Sequence, residues 1–261
     1  MKDFTHQKYE ELLLTIISLG FPIFGVANWL EVPTPKKGAM IRHDVDRRPE
    51  NALAMAKLEH DLGIKTTYYF RVVGSAYSST IILSIADLGH EIGYHYEDLA
   101  LAKGDLKKAV ESFKKHIEKL RKLTPIKTVA MHGSPLSAEH NLDIWSNVSL
   151  SDIGILGDAF LSVDYREIKY FTDTGRGWNR SKVNLRDRPP GVIECDLEGH
   201  GTVDLIRYLR TNRVEKLAFC IHPERWNANP IDWSLQLIID SACNMIKKIV
   251  KSTYPDYIYR R

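Results

Sequence analysis

Ile41-Arg42-His43-Asp44-Val45-Asp46 is an apolar lead-in that closes on two acids, and the reading of the whole chain turns on it. Gly38-Ala39-Met40-Ile41 reads as a buried strand, and Arg47-Arg48-Pro49-Glu50 breaks it and opens a helix. Side chains alternate along a strand, so Asp44 and Asp46 share one face while His43 and Val45 share the other. Two carboxylates side by side at the mouth of a strand repel each other and lose solvation. Such a pair is poor for stability unless a cation or a proton-transfer role uses it, or unless Arg42, Arg47 or Arg48 neutralises it as a plain ion pair.

Downstream, the same strand-then-helix rhythm repeats. Asn51–Leu62 continues a helix that Gly63 stops, Thr66–Val73 is a strand rich in aromatic and β-branched residues, Thr80–Leu88 is a helix closed by Gly89, and Glu91–Tyr96 is a strand. Asp105–Leu123 carries Leu106, Val110, Phe113, Ile117 and Leu120 near helical spacing, Pro125 ends it, and Lys127–Met131 is the next strand. Repeated βα units of this kind build a parallel sheet, wound as an open sheet or as a barrel. Beyond His132 the pattern loosens: a short helix over Asn141–Ser149, an unassigned stretch at Ile153–Val163, strands at Tyr170–Thr174 and Val192–Asp196, a helix over Asp204–Thr211, a strand at Leu217–Ile221 and a last helix over Trp233–Val250. Upstream, Thr5–Leu19 is helical with Tyr9, Leu12, Leu13, Ile16 and Ile17 on one stripe, Phe21–Leu30 is apolar and aromatic, and Pro33–Gly38 is a loop. One domain over 1–261 is the economical expectation, with an N-terminal extension (1–37), a core (38–235) and a terminal helix (236–261).

A length of 261 residues, 44% hydrophobic and 26% charged content suit a globular chain with a substantial core. A formal charge of +3 leaves no nucleic-acid footprint, and the basic runs Lys114–Lys127 and Lys247–Lys251 read as solvated helix faces. Cys195, Cys220 and Cys243 are odd in number and lack Cys-x-x-Cys spacing, so no disulfide framework is expected, and Cys220 reads as a small core residue. Neither a secretion signal nor a membrane-spanning stretch is legible, and a cytoplasmic location is expected.

The polar residues that stand out fall directly after predicted strands: Asp44 and Asp46, then His95, His132, Asp173 and His222. Loops at the carboxyl edge of a parallel α/β sheet converge on one mouth, and three imidazoles with three acids at that edge point to a site. The order of these stretches resembles the NodB-homology polysaccharide deacetylases (carbohydrate esterase family four). Arg42-His43-Asp44-Val45-Asp46 takes the place of the family's T-F-D-D-G, and Gly89-His90-Glu91-Ile92-Gly93-Tyr94-His95 is similar to G-H-E-I-G-x-H. Met131-His132-Gly133-Ser134-Pro135, Asp173-Thr174-Gly175-Arg176-Gly177-Trp178 and Leu217-Ala218-Phe219-Cys220-Ile221-His222-Pro223 resemble the third, fourth and fifth motifs.

What the resemblance implies is a distorted (β/α) barrel of about seven parallel strands with an N-terminal helical extension. It implies Asp44 as general base towards a metal-bound water, Asp46 and His95 as ligands of a divalent metal, zinc first among the candidates, His222 as general acid, and Asp173, with Arg176, as the group that orients His222. The family's second metal histidine falls at Leu99, which cannot ligate. His132 is the first substitute, followed by Asp98 and Glu97. The family's third-motif arginine, which steadies the base, is also missing, its role open to Arg42 or Arg176. His90 and His43 read as structural, and His6, His60 and His116 as surface residues. Trp178 and Trp226 either line a sugar cleft or pack in the core. The implied activity is metal-dependent removal of an N-acetyl group from a sugar or polysaccharide precursor, an acetamido-bearing small molecule or oligosaccharide. The alternative is a metal-free C–N hydrolase or a non-catalytic carbohydrate-binding protein on the same fold.

Overall fold

The computed structural model describes residues 2–32, 35–135, 137–179, 183–193, 195 and 197–253. Its strands are β1 (Ile23–Phe24), β2 (Gly38–Val45), β3 (Thr67–Phe70), β4 (Glu91–Tyr96), β5 (Thr128–Met131), β6 (Gly157–Asp158), β7 (Lys169–Thr172) and β8 (Lys216–Ile221). Its helices are α1 (His6–Ser18), α2 (Val26–Glu31), α3 (Pro49–Asp61), α4 (Ser79–Asp87), α5 (Asp98–Leu101), α6 (Leu106–Arg121), α7 (Thr202–Thr211) and α8 (Pro230–Thr253). Every strand pairing is parallel, in the order β6-β5-β4-β3-β2-β8-β7. β1 pairs with Ala39 and Met40 of β2, just before β3 takes over at Arg42, so β1 and β3 lie head to tail along one edge of β2.

The sheet curls around Arg42. Phe160, beyond the end of β6, lies with its ring 4.4 Å from the Arg42 guanidinium, and Tyr170 of β7, at the other end of the sheet, accepts from Arg42 Nη2 at 3.3 Å. Both ends of the sheet therefore reach the middle of β2 from the same side. Among the described residues β6 and β7 do not pair, and Tyr165, stacked edge-on to Tyr170 at 5.5 Å and donating to the Ala159 carbonyl at 2.6 Å, fills the gap. The chain adopts the distorted (β/α) barrel expected for it.

The glycine of the second motif has a packing role inside the barrel. A Cβ at Gly93 would stand 2.2 Å from Tyr69 Cε1 and 2.9 Å from the Thr128 carbonyl oxygen. The Tyr69 ring crosses that gap to share a hydrogen bond with Thr128 Oγ1 at 2.7 Å. Gly93→Ala is expected to cost about 1–3 kcal/mol by overpacking, read as a lower midpoint in urea with an unchanged slope. Glu91 of the same motif is a staple: its carboxylate accepts from Ala27 N at 2.9 Å and from the hydroxyls of Thr67 and Thr128, tying α2 to β3 and β5.

The reverse face of β2 carries a buried polar cluster. Glu59 on α3 accepts from Tyr68 Oη at 2.7 Å, Thr66 Oγ1 at 2.8 Å and Tyr9 Oη, and it pairs with His43 Nε2 at 2.8 Å. Burial alone would raise the Glu59 pKa, but the His43 imidazole and these donors outweigh it and bring it down to about 2. A carboxyl held below its unfolded value of 4.5 contributes stability that is complete above that value. That contribution disappears as pH falls towards about 2. Wild type is expected to lose roughly 3 kcal/mol of unfolding free energy across this window on account of Glu59, and Glu59→Gln to show a correspondingly flatter acid limb in urea titrations. His43 and His90 are structural, as read: His90 bridges the Ala56 carbonyl at 2.9 Å and the Thr66 amide at 3.2 Å.

Several local expectations change. The N-terminal segment is tied into the barrel through β1, and Tyr9 of α1 is fully buried. β1, α2, α5 and β6 were not expected, being two to six residues long and without room for a periodicity. Of the expected Val192–Asp196 strand, Val192, Ile193 and Cys195 lie in no strand, and Glu194 and Asp196 lie outside the described residues. His116 is not a free surface residue: Asp98 Oδ1 at 2.8 Å and Tyr94 Oη at 3.0 Å hold it to β4.

Candidate active site

All strands run in one direction, so their carboxyl ends open at one mouth. The cavity there has a volume of about 280 Å³, and its walls include Asp44, Asp46, His95, His132, Asp187 and His222. Two ladder steps beyond the strand ends aim the later residues. The His132 amide donates to the Tyr96 carbonyl at 2.7 Å, which sets it beside His95, and the Asp173 amide donates to the Cys220 carbonyl at 3.3 Å, which sets it beside His222.

Asp46, His95 and His132 meet. Asp46 Oδ1 stands 3.4 Å from His95 Nε2 and 3.6 Å from His132 Nε2. His95 Nδ1 lies 3.0 Å from the Ala130 carbonyl and His132 Nδ1 lies 2.9 Å from Glu97 Oε2, contacts that assign the ring protons to the Nδ1 atoms in the neutral imidazoles. Both Nε2 lone pairs then face a carboxylate oxygen, and Asp46 Oδ1 is buried without a hydrogen-bond partner. Three electron-rich atoms turned on each other require a proton or a cation between them. Two ligands about 2.1 Å from a tetrahedral ion stand about 3.4 Å apart, which matches the spacings at Asp46. The two Asp46 spacings suit an ion shared with either imidazole, but Asp46, His95 and His132 do not bring all three donor atoms within 4.8 Å of one another; among the described residues Asp44, Cys220 and His222 do. Burial would raise the Asp46 pKa, yet the facing His132 and His95 imidazoles hold the carboxyl well below the usual range, so it is ionised at neutral pH. Burial likewise opposes charge on His95, but Asp44 and Asp46 raise its pKa overall.

Glu97 is the outer partner of His132 and is itself gripped by Arg71 Nε at 2.6 Å. Burial opposes its charge, but His132 and Arg71 bring its pKa down to about 2. Asp98, the other substitute ligand considered, turns away to Tyr94 Oη at 2.6 Å and Ser112 Oγ at 2.6 Å. Leu99 is packed in the core.

Asp44 sits over Arg42, with Oδ2 3.5 Å from Arg42 Nη2 and 3.3 Å from the donating Cys220 thiol. Its Oδ1 is buried with no partner. Of Arg42 and Arg176, it is Arg42 that lies beside Asp44, since residues 42, 44 and 46 alternate onto one face. Asp44, Cys220 and His222 bring one donor atom each within 4.8 Å of one another, a grouping of metal-ligating atoms. Burial pushes the Cys220 thiol well up, so it presents S–H rather than thiolate there.

His222 Nδ1 stands 2.7 Å from Asp173 Oδ1. The same carboxylate accepts from the His222 amide, from Arg225 Nη1 at 3.1 Å and from Trp226 Nε1 at 2.8 Å. Burial and Arg225 would lower the His222 pKa, but Asp173 outweighs them and it is pushed up to about 9. Arg176 does not share this position. Its guanidinium pairs with Asp240 of α8 at 3.2 Å and stacks on Trp233 at 4.8 Å, because a left-handed backbone (φ 57°) turns it towards that helix. The arginine on Asp173 is Arg225. Trp178 and Trp226 are fully buried core residues rather than cleft walls.

Arg225, Asp187 and Glu224 were missed. Arg225 lies three residues past His222, close enough for the strand-end signal to have flagged it. Asp187 had no local signal: Tyr170, Thr174 and Thr172 hydroxyls hold it under the cavity, 3.3 Å from Arg42. Glu224 is buried with neither carboxylate oxygen hydrogen-bonded, and burial pushes its pKa up to about 7.

No family model matches the chain, and no curated protein matches it. Among solved structures, BA3943 of Bacillus anthracis, described as a CE4 family pseudoenzyme, is 12% identical with a TM-score of 0.44 over 80% of this chain and 61% of that one. A mutant of BA3943 described as having restored enzymatic activity aligns at 12% identity and a TM-score of 0.44, over 80% and 63% of the two chains. The Xyl-CE4 domain of a multidomain xylanase from the hindgut metagenome of Trinervitermes trinervoides is 11% identical with a TM-score of 0.37, over 79% of this chain and 83% of that one. The chain thus spans less than two thirds of the BA3943 structures. No helix among the described residues is long and apolar enough to cross a membrane.

Proposed function

We propose that the chain hydrolyses an N-acyl amide, an N-acetyl group on a sugar or saccharide precursor, with a divalent cation held by Asp46, His95 and His132. The observation that carries this reading is the buried, unpartnered Asp46 Oδ1 facing two imidazole Nε2 atoms. A divalent cation at that position supplies an acidified water and polarisation of the acyl carbonyl. Asp44 accepts the proton of the attacking water at Oδ1, with the Arg42 guanidinium 3.5 Å from its other oxygen. His222, fixed through Nδ1 by Asp173, presents Nε2 as the donor that protonates the departing nitrogen, and a pKa of about 9 keeps it charged at neutral pH. An amine is a poor leaving group, so this proton is as necessary as the base. Asp187 and Thr174 line the floor and offer hydrogen-bonding groups to sugar hydroxyls. Leu99, which motivates the metal-free alternative, is answered in this reading by His132 as third donor.

The test is acetate release from acetamido sugars, free, nucleotide-linked and oligomeric, by purified protein supplied with Zn²⁺, Co²⁺ or Ni²⁺. Turnover is expected that a chelator abolishes and the ion restores. No release from any of them with any of the three ions would refute the proposal.

A further inference from the structure

α8 is amphipathic with its apolar side outward. Gln236 and Asp240 are buried against the rest of the chain, and Asp240, Asn244 and Lys247 line the cavity. Its attachments to the rest of the chain include Asp240 to Arg176 at 3.2 Å, Asn244 Nδ2 to the Gly175 carbonyl at 2.8 Å, and the half-buried Trp233, whose Nε1 donates to the Asp3 carbonyl at 2.7 Å and whose ring lies against Arg176. Among the described residues, no hydrophobic side chain of α8 is buried. Its apolar residues face solvent instead: Ile231 is 71% exposed, Ile238 66%, Met245 65% and Ile249 58%, with Leu235, Ile239 and Ile246 beside them.

Helices in proteins are stabilised chiefly by packing of an apolar face, and this one has no cover within the described chain. Ile231, Leu235, Ile238, Ala242, Met245 and Ile249 follow one another at alternating steps of four and three, the heptad seam by which one helix receives another. The seam runs about 27 Å. Its large side chains expose on the order of 700 Å², more than the roughly 300–600 Å² of the largest patch on a typical monomer and close to the ~800 Å² that each partner of a stable complex buries.

We propose that the chain is a homodimer in which α8 packs against α8 of a second copy across a two-fold axis. A self-complementary seam suits such an isologous contact. The edges of the seam favour a helix over a lipid surface: Ser234 and Ser241 on one side allow close approach, and the borders carry one lysine, Lys248, against the acid Asp232 rather than the rows of basic residues of membrane-surface helices. α8 then lies between the partner and the cavity, so the same contact braces one wall of the candidate site.

Sedimentation velocity of the full chain at about 1–50 µM tests this, with a dimer expected from the 29.9 kDa chain. Ile238→Glu with Met245→Glu is expected to give a monomer that keeps its far-UV circular dichroism. Ser234→Glu with Ser241→Glu, which leaves the apolar residues in place, sets like charges along the contact and is expected to weaken the dimer at least tenfold if the first variant does not fold. A wild-type monomer throughout this range overturns the proposal, as does a dimer that neither pair of substitutions weakens. A monomer that co-sediments with phosphatidylglycerol vesicles overturns it in favour of a lipid surface.

Discussion

Asp46→Ala is expected to abolish Zn²⁺ binding measurable by titration calorimetry, with the fold intact. The oxygen lost is the one that both imidazoles face, 3.4 Å and 3.6 Å away, and it accepts no hydrogen bond whose loss would destabilise the protein. The two histidines left behind are held by their own Nδ1 contacts, so they keep their places but supply only two donors, fewer than catalytic zinc sites use. Glu97→Gln provides the graded comparison: it removes the charge behind His132 without removing a donor, and a loss of roughly 10–100-fold in affinity is expected. Wild-type affinity in Asp46→Ala would place any bound ion elsewhere, at Asp44, Cys220 and His222 first of all.

Asp44→Asn is expected to lower kcat by about 10²–10⁴-fold, the usual contribution of a positioned general base, while ion affinity changes little. The amide keeps the shape and can still accept from Cys220, so the defect should lie in proton transfer rather than in folding. Arg42 loses a counter-charge but retains Asp187 at 3.3 Å, so some stability is lost and the thermal midpoint should be recorded beside the rate. A kcat within about threefold of wild type would remove Asp44 from the base role. It would leave Glu224 as the buried carboxyl to examine, with its pKa near neutrality at about 7.

These two experiments address residues that stood out in the sequence for a simple reason. A side chain that ends a buried strand is placed by the strand, and strands announce themselves by apolar runs. Asp44, Asp46, His95 and His222 were legible in that way, and Asp173 likewise. The partners that give them their properties were not. Arg42 carries no motif signal of its own, yet it is the charge beside Asp44. Arg225 stands where Arg176 was expected, because a left-handed turn at Arg176 sends its guanidinium to α8. Backbone handedness at a single non-glycine residue leaves no mark in composition or periodicity.

What the sequence determined by itself is the parallel βα rhythm, the strands and long helices that carry it, and the edge at which acids and imidazoles gather; these follow from side-chain alternation, apolar runs and turn residues, all local along the chain. Only the tertiary structure decided which of them touch. His132 came to stand opposite Asp46, Glu97 behind it and Asp187 beneath the cavity through the curl of the sheet and the pairing of strands distant in sequence. Contact distances of 3 to 4 Å depend on register and curvature, and those are properties of the packed barrel that no short stretch of chain contains.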